Sequence, residues 1–66
     1  MTITLNGEPY EILAPITVSA LLAQLKIDAR RVAVEHNLDV LKHAAFGNTD
    51  VHEGDQIEIV NFVGGG

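Results

Sequence analysis

The chain contains no cysteine. That excludes a disulfide framework and any cysteine-based zinc site, so the fold must hold by packing alone. Cations are scarce as well: four Lys and Arg stand against nine Asp and Glu, a formal net charge of −5. Nucleic-acid binding depends on Lys and Arg neutralising phosphates, so nucleic acid is not an expected partner. The same acidity suits steered docking onto a basic face of another protein, or simply solubility. Apolar runs are short, and none approaches the ~20 residues that span a bilayer. No membrane association is expected. The opening Met1-Thr2-Ile3-Thr4-Leu5-Asn6 lacks the basic start and apolar stretch of a signal peptide, which is compatible with the cytoplasm. Length is the last shortage. The 66 residues allow one domain, and a domain this small buries only about 60% of the surface its unfolded chain exposes. Core and pocket walls would compete for the same side chains, which argues against a self-sufficient enzyme.

Hydrophobic residues make up 47% of the chain, a globular composition. Thr2 to Asn6 alternates polar and apolar, with Ile3 and Leu5 on one face, the period of a half-buried strand. Asn6-Gly7 is a two-residue turn signal of the type I′ kind, and Glu8 to Leu13 reads as the return strand, with Tyr10 and Ile12 sharing a face. Pro9 has no amide to donate, which places this strand at a sheet edge or starts it after the proline. Ala14 to Thr17 is a connector, and Thr17 is placed to cap a helix. Val18, Leu21, Leu22 and Leu25 then form one helical stripe, predicting a helix over about Val18 to Lys26. Ile27 to Arg31 turns the chain. Val32 and Val34 mark a third strand, Asn37-Leu38-Asp39 a turn, and Val40-Leu41-Lys42 a short strand. His43 to Asp50 is irregular, with Phe46 expected to plug the open end of the core. Glu53-Gly54-Asp55 is a turn before a final strand from Gln56 to Phe62.

The order is ββαββ. A parallel pair needs a crossover of a dozen or more residues, and the first and last strands have one between them. The expected fold is therefore α+β, a mixed sheet of four to five strands wrapped over one helix, which is the β-grasp arrangement. The domain is expected over residues 1–63, with residues 64–66 as a flexible tail.

That tail is Gly64-Gly65-Gly66. Glycine has no Cβ and loses the most entropy when ordered, so such a run adds little to a core. It can instead reach roughly 10 Å beyond a sheet at 3.3–3.6 Å per residue and thread a narrow channel in a partner. On the last strand, Val60 and Phe62 point away from Ile57 and Ile59 if the latter face the helix. With Val63 they form an apolar group at the root of the tail, suited to partner docking; the alternative is that the strand twists at its end and Phe62 folds over the core edge. No nucleophile–base pair has recognisable spacing, so no catalytic residue is assigned. His36, His43 and His52 show neither H-x-H nor H-E-x-x-H spacing; they are read as solvated or turn histidines, and no metal is expected.

Val32-Ala33-Val34-Glu35-His36-Asn37, followed by the run from Gly54-Asp55-Gln56 through Asn61-Phe62-Val63 to Gly64-Gly65-Gly66, resembles the ThiS family of thiamine-biosynthesis sulfur carriers. The likeness runs the whole length, including Thr17-Val18 opening the helix. It implies a ubiquitin-like fold and a Gly66 carboxylate that a ThiF-type adenylating enzyme activates with ATP. A sulfur donor protein then converts the adenylate to a thiocarboxylate, which gives its sulfur to a ThiG-type thiazole synthase. Gly64 and Gly65 would thread the partner. No cofactor is expected on the chain itself, because ATP belongs to the adenylating enzyme. Two features depart from the family pattern. Many relatives carry an acid where Ala20 stands, completing a capping box, and proline and tyrosine within the segment Leu41 to Phe46. Three other readings share the fold: a molybdopterin synthase small subunit, a ubiquitin-like modifier joined to lysine through its tail, and a plain β-grasp binding module.

Overall fold

The computed structural model describes residues 1–62; Val63 and the Gly64–Gly66 tail lie outside them. Seven strands and one helix follow in the order β1 (Thr2–Leu5), β2 (Glu8–Glu11), β3 (Ile16–Thr17), α1 (Val18–Gln24), β4 (Val32–His36), β5 (Asp39–Leu41), β6 (Asp50–Val51) and β7 (Gln56–Asn61). Five of the strands form one sheet in the order β2-β1-β7-β4-β5, while β3 and β6 pair as a separate ribbon. The central pair, β1 and β7, is parallel; every other pairing is antiparallel. The β-grasp expectation is met, with the two-residue strands β3 and β6 as additions.

The opening hairpin follows its turn residues. Asn6 and Gly7 take φ of 50° and 82°, the left-handed pair that matches strand twist in a two-residue loop. Pro9 falls on β2, the edge strand, where a missing donor leaves no ladder bond unmade. The strand ends at Glu11, earlier than the predicted Leu13. Met1 and Ile12 exchange both backbone bonds, at 2.7 and 2.8 Å, and pairing has then reached Met1. Leu13 is fully exposed.

Thr17 caps α1: its Oγ1 accepts from the Ala20 amide at 3.0 Å. The helix stops at Gln24, two residues short of the predicted end. Lys26 turns left-handed (φ 61°), donating to the Ala23 carbonyl at 3.0 Å, while the Ile27 amide reaches the Leu22 carbonyl at 2.9 Å. These crossed bonds satisfy the last carbonyls of the helix in a Schellman motif. Val18, Leu21 and Leu22 are buried and Leu25 is partly so, so the predicted stripe is the face that meets the sheet. Each fully buried side chain of this size stabilises the fold by ~1.5–3 kcal/mol.

Opposite the stripe lie Ile3, Val32, Val34 and Ile57, all 1% exposed or less. Phe46, 3% exposed, closes the core as expected, held after a 3₁₀ turn at His43–Ala45. The ribbon of β3 and β6 pins the entry of the helix, pairing Ile16 with Val51 and Thr17 with Asp50. Among the described residues no helix is long and apolar enough to cross a membrane.

Candidate functional site

The candidate site is the end of β7 from which the tail departs. Two attachments hold it. The Phe62 amide donates to the Arg31 carbonyl at 2.9 Å, extending the β4–β7 ladder by one bond. On the other edge, β1 pairs with β7 only through Thr4–Gln56 and Leu5–Ile57. Beyond that point the Asn6 amide donates to the Ile57 carbonyl at 2.8 Å, and the Ile59 amide donates to Asn6 Oδ1 at 2.7 Å. The Asn6 side chain thus replaces, at Ile59, the strand that has turned away.

Strand alternation sets what this end presents. Ile57 is buried and Ile59 packs against the core, whereas Val60 and Phe62 are 55% and 52% exposed. Val60 therefore lies on the outer face of the sheet with its partner Ala33, whereas the Phe62 ring, past the last residue of the strand, stands 6.4 Å from the ring of His43, which itself packs on the core residue Phe46. Val63, Gly64, Gly65 and Gly66 lie outside the described residues. The register adds neighbours that the sequence reading did not name: Ala33 pairs with Val60 and Glu35 with Glu58 across β4–β7, and Glu35 with Val40 across β4–β5. Val40 is 72% exposed. The parity of β4 already set Ala33 and Glu35 opposite to Val32 and Val34; which strand would meet them is a long-range fact.

Of the histidines, His43 in its 3₁₀ turn and the exposed His52 agree with the expectation, and only His36, on β4, departs from it. His36 is half-buried, with Nε2 2.8 Å from Asp55 Oδ2. His43 places Nε2 3.2 Å from the Val32 carbonyl, and its ring lies 4.9 Å from that of Phe46 and 6.4 Å from that of Phe62. Both hold structural contacts, His36 half-buried and His43 still exposed, because the folded turns bring them acceptors that no local pattern reveals. His52 is exposed. Among the described residues no three or more His, Cys, Asp or Glu side chains gather to hold a metal ion.

Asp55 is the electrostatic anchor of the opposite end of β7. Burial pushes its carboxyl up, but bonds from the His52 amide, the His36 ring and the Asn37 side chain outweigh it and hold it below its usual range. At the open end of the core, a hollow is lined by Ser19, Ala29, Arg30, His43 and Phe46. Arg30 is already engaged, its guanidinium bonding to Asp28 at 3.0 and 3.1 Å. That contact lowers the exposed Asp28 carboxyl to about 2, through the Arg30 side-chain and backbone bonds.

Known proteins match this geometry. A solved crystal structure of the thiamine biosynthesis protein (ThiS) from Geobacter metallireducens superposes with a TM-score of 0.89 at 40% identity, covering all of both chains. The sulfur carrier protein ThiS of Bacillus subtilis is 36% identical over 50 residues, 76% of each chain. A thiazole synthase from Paramagnetospirillum magneticum is 44% identical over all 66 residues. The chain spans only 20% of the length of that enzyme, and the same share of a second thiazole synthase, from Magnetococcus marinus. The ThiS family model itself matches residues 3–66. With the β-grasp sheet and the family pattern both present over the full match, the chain belongs to the ThiS family.

Proposed function

We propose that the chain is a sulfur carrier for thiazole formation in thiamine biosynthesis, with the carboxyl carbon of Gly66 as the carrying atom. The observation that supports this most is the side-chain-free run Gly64-Gly65-Gly66, two residues beyond a last strand tied to β4 as far as Phe62, in a chain of the ThiS family. Likeness to a thiazole synthase favours the thiamine pathway over molybdopterin synthesis.

A free carboxylate is a poor electrophile. An oxygen of the Gly66 carboxylate attacks the α-phosphorus of ATP, pyrophosphate leaves, and the carboxyl carbon gains AMP as a leaving group. Sulfur at the hydrosulfide level, delivered by a donor protein, then attacks that carbon. The bond to the AMP oxygen breaks, leaving a thiocarboxylate that is itself a nucleophile near neutral pH. No step asks this chain for a catalytic side chain; the ThiF-type adenylating enzyme supplies ATP and its site. Gly64 and Gly65 thread that site because a bare backbone fits where side chains would not, and Val60, Phe62 and Val63 dock the domain beside it. The chain is a co-substrate of enzymes rather than an enzyme.

Mass spectrometry after incubation with the cognate adenylating enzyme, ATP and a sulfur donor tests this. The expected product has one oxygen exchanged for sulfur, localised to Gly66 by fragmentation. An unchanged mass with active enzyme would refute it, and conjugates to lysine would point to a protein modifier instead.

A further inference from the structure

The outer face of the sheet carries a charge arrangement that the fold itself does not explain. Glu35 on β4 and Glu58 on β7 are register partners. The bonds Phe62 to Arg31 and Asn37 to Gln56 flank them at 2.9 and 2.8 Å. Ladder bonds alternate every second pair, so Glu35 and Glu58 also occupy a hydrogen-bonded position, with Cα atoms about 5.5 Å apart. Ile57 and Val34 are buried on the helix side, so both glutamates point outward with Ala33, Val40 and Val60. Like charges directly opposite one another destabilise a sheet. No Lys, Arg or His lies within ion-pair distance of either carboxylate among the described residues.

Apolar side chains frame the pair. Val40 stands beside Glu35, and Ala33 and Val60 form the next row toward the tail. Val40 and Val60 are 72% and 55% exposed, so the face is open and mostly uncharged around two adjacent carboxylates. We infer that this face receives an arginine-bearing apolar surface of the partner protein, one guanidinium seating between Glu35 and Glu58. Arginine fits better than lysine: its planar, weakly hydrated head offers five donors to two carboxylates and tolerates apolar surroundings. A second copy of this chain does not fit, because two acidic faces on molecules of net charge −5 repel. Nucleic acid is excluded on the same ground. The inference rests on the reading that a partner enzyme acts on the tail, and it names the chemistry by which that partner is recognised.

The test is calorimetric titration of the full chain into the cognate ThiF-type adenylating enzyme, using two charge-matched double variants. E35Q/E58Q removes the seat. E8Q/D50N removes equal charge from the opening hairpin and the β3–β6 ribbon. The seat variant is expected to bind about tenfold more weakly at low salt, with the difference shrinking as salt rises, and to melt no lower than the parent. The control is expected to stay within about twofold. Equal weakening of both variants would reduce the effect to general steering and overturn the seat. Unchanged binding by E35Q/E58Q, or a dimer of this chain closing over the face in sedimentation, would overturn it as well. Pyrophosphate release, followed in parallel, separates the two claims. Normal adenylation with unchanged E35Q/E58Q binding removes the seat and leaves sulfur carriage standing. Face-dependent binding without adenylation of Gly66 does the reverse.

Discussion

Nε2 of His36 lies 2.8 Å from Oδ2 of Asp55, nineteen residues further along the chain. The contact joins the end of β4 to the start of β7. Asp55 also accepts from the Asn37 side chain at 3.2 Å and from the His52 amide at 2.9 Å. Asn37 Oδ1 accepts from the Gln56 amide at 2.9 Å. One carboxylate thus ties the turns at Asn37 and His52 to the end of β4, at the start of β7.

This network predicts a pH dependence. The carboxyl of Asp55 is held below its ordinary 3.8, so its contribution is complete above that value and lost as pH falls through the lowered folded value. Asp55→Asn should cost ~1–2 kcal/mol at neutral pH through weakened bonds to a charged acceptor. It should also flatten the loss of stability below pH 4 that urea unfolding shows for the parent. Parallel acid profiles for the two proteins would rule out Asp55 as the source.

The turn between β4 and β5 stores local strain. Asn37 and Leu38 take φ of 51° and 75°, and Leu38 is 80% exposed, so its side chain is held left-handed with little packing in return. Leu38→Gly should raise stability by ~0.5–1 kcal/mol, the left-handed penalty less the entropy of glycine. A lower melting temperature would show that Leu38 packs after all.

Asn6 serves both the turn and the strand. Asn6→Gly keeps the left-handed backbone but deletes the acceptor for the Ile59 amide. The expected loss is ~1 kcal/mol, with faster hydrogen exchange at Ile59. Unchanged exchange there would mean the amide finds another partner.

Much of this was legible in the residues, for physical reasons that can be named. Periodicity placed Val18, Leu21 and Leu22 inward, and Asn6-Gly7 wrote its own turn, because each signal is local. The ribbon of Ile16–Thr17 with Asp50–Val51 left no trace, since two residues carry no period. The helix end escaped because Lys26, not glycine, takes the left-handed position. At the site, alternation placed Val60 on the outer face, but it does not govern Phe62, which lies past the last strand residue and turns to His43. It could not show that Glu58 would meet Glu35, or His36 meet Asp55, because those pairings are made by the folded sheet.

Phe62 tests the docking role in the proposal. Its ring is half-exposed and meets His43 edge-on at 6.4 Å, so Phe62→Asp should lower stability by about 1 kcal/mol and leave the fold intact. If Phe62 docks the partner, the KM for this chain in adenylation should rise about tenfold, a loss of the size an aromatic anchor carries. An unchanged KM with an intact fold would place docking elsewhere.

The most direct measurement uses a chain shortened by Gly66 alone, in a reconstituted system with adenylating enzyme, sulfur donor and thiazole synthase. The shortened chain should melt as the parent does yet release no pyrophosphate and yield no thiazole. Thiazole formation at the parent's rate would contradict sulfur carriage on that carboxyl carbon.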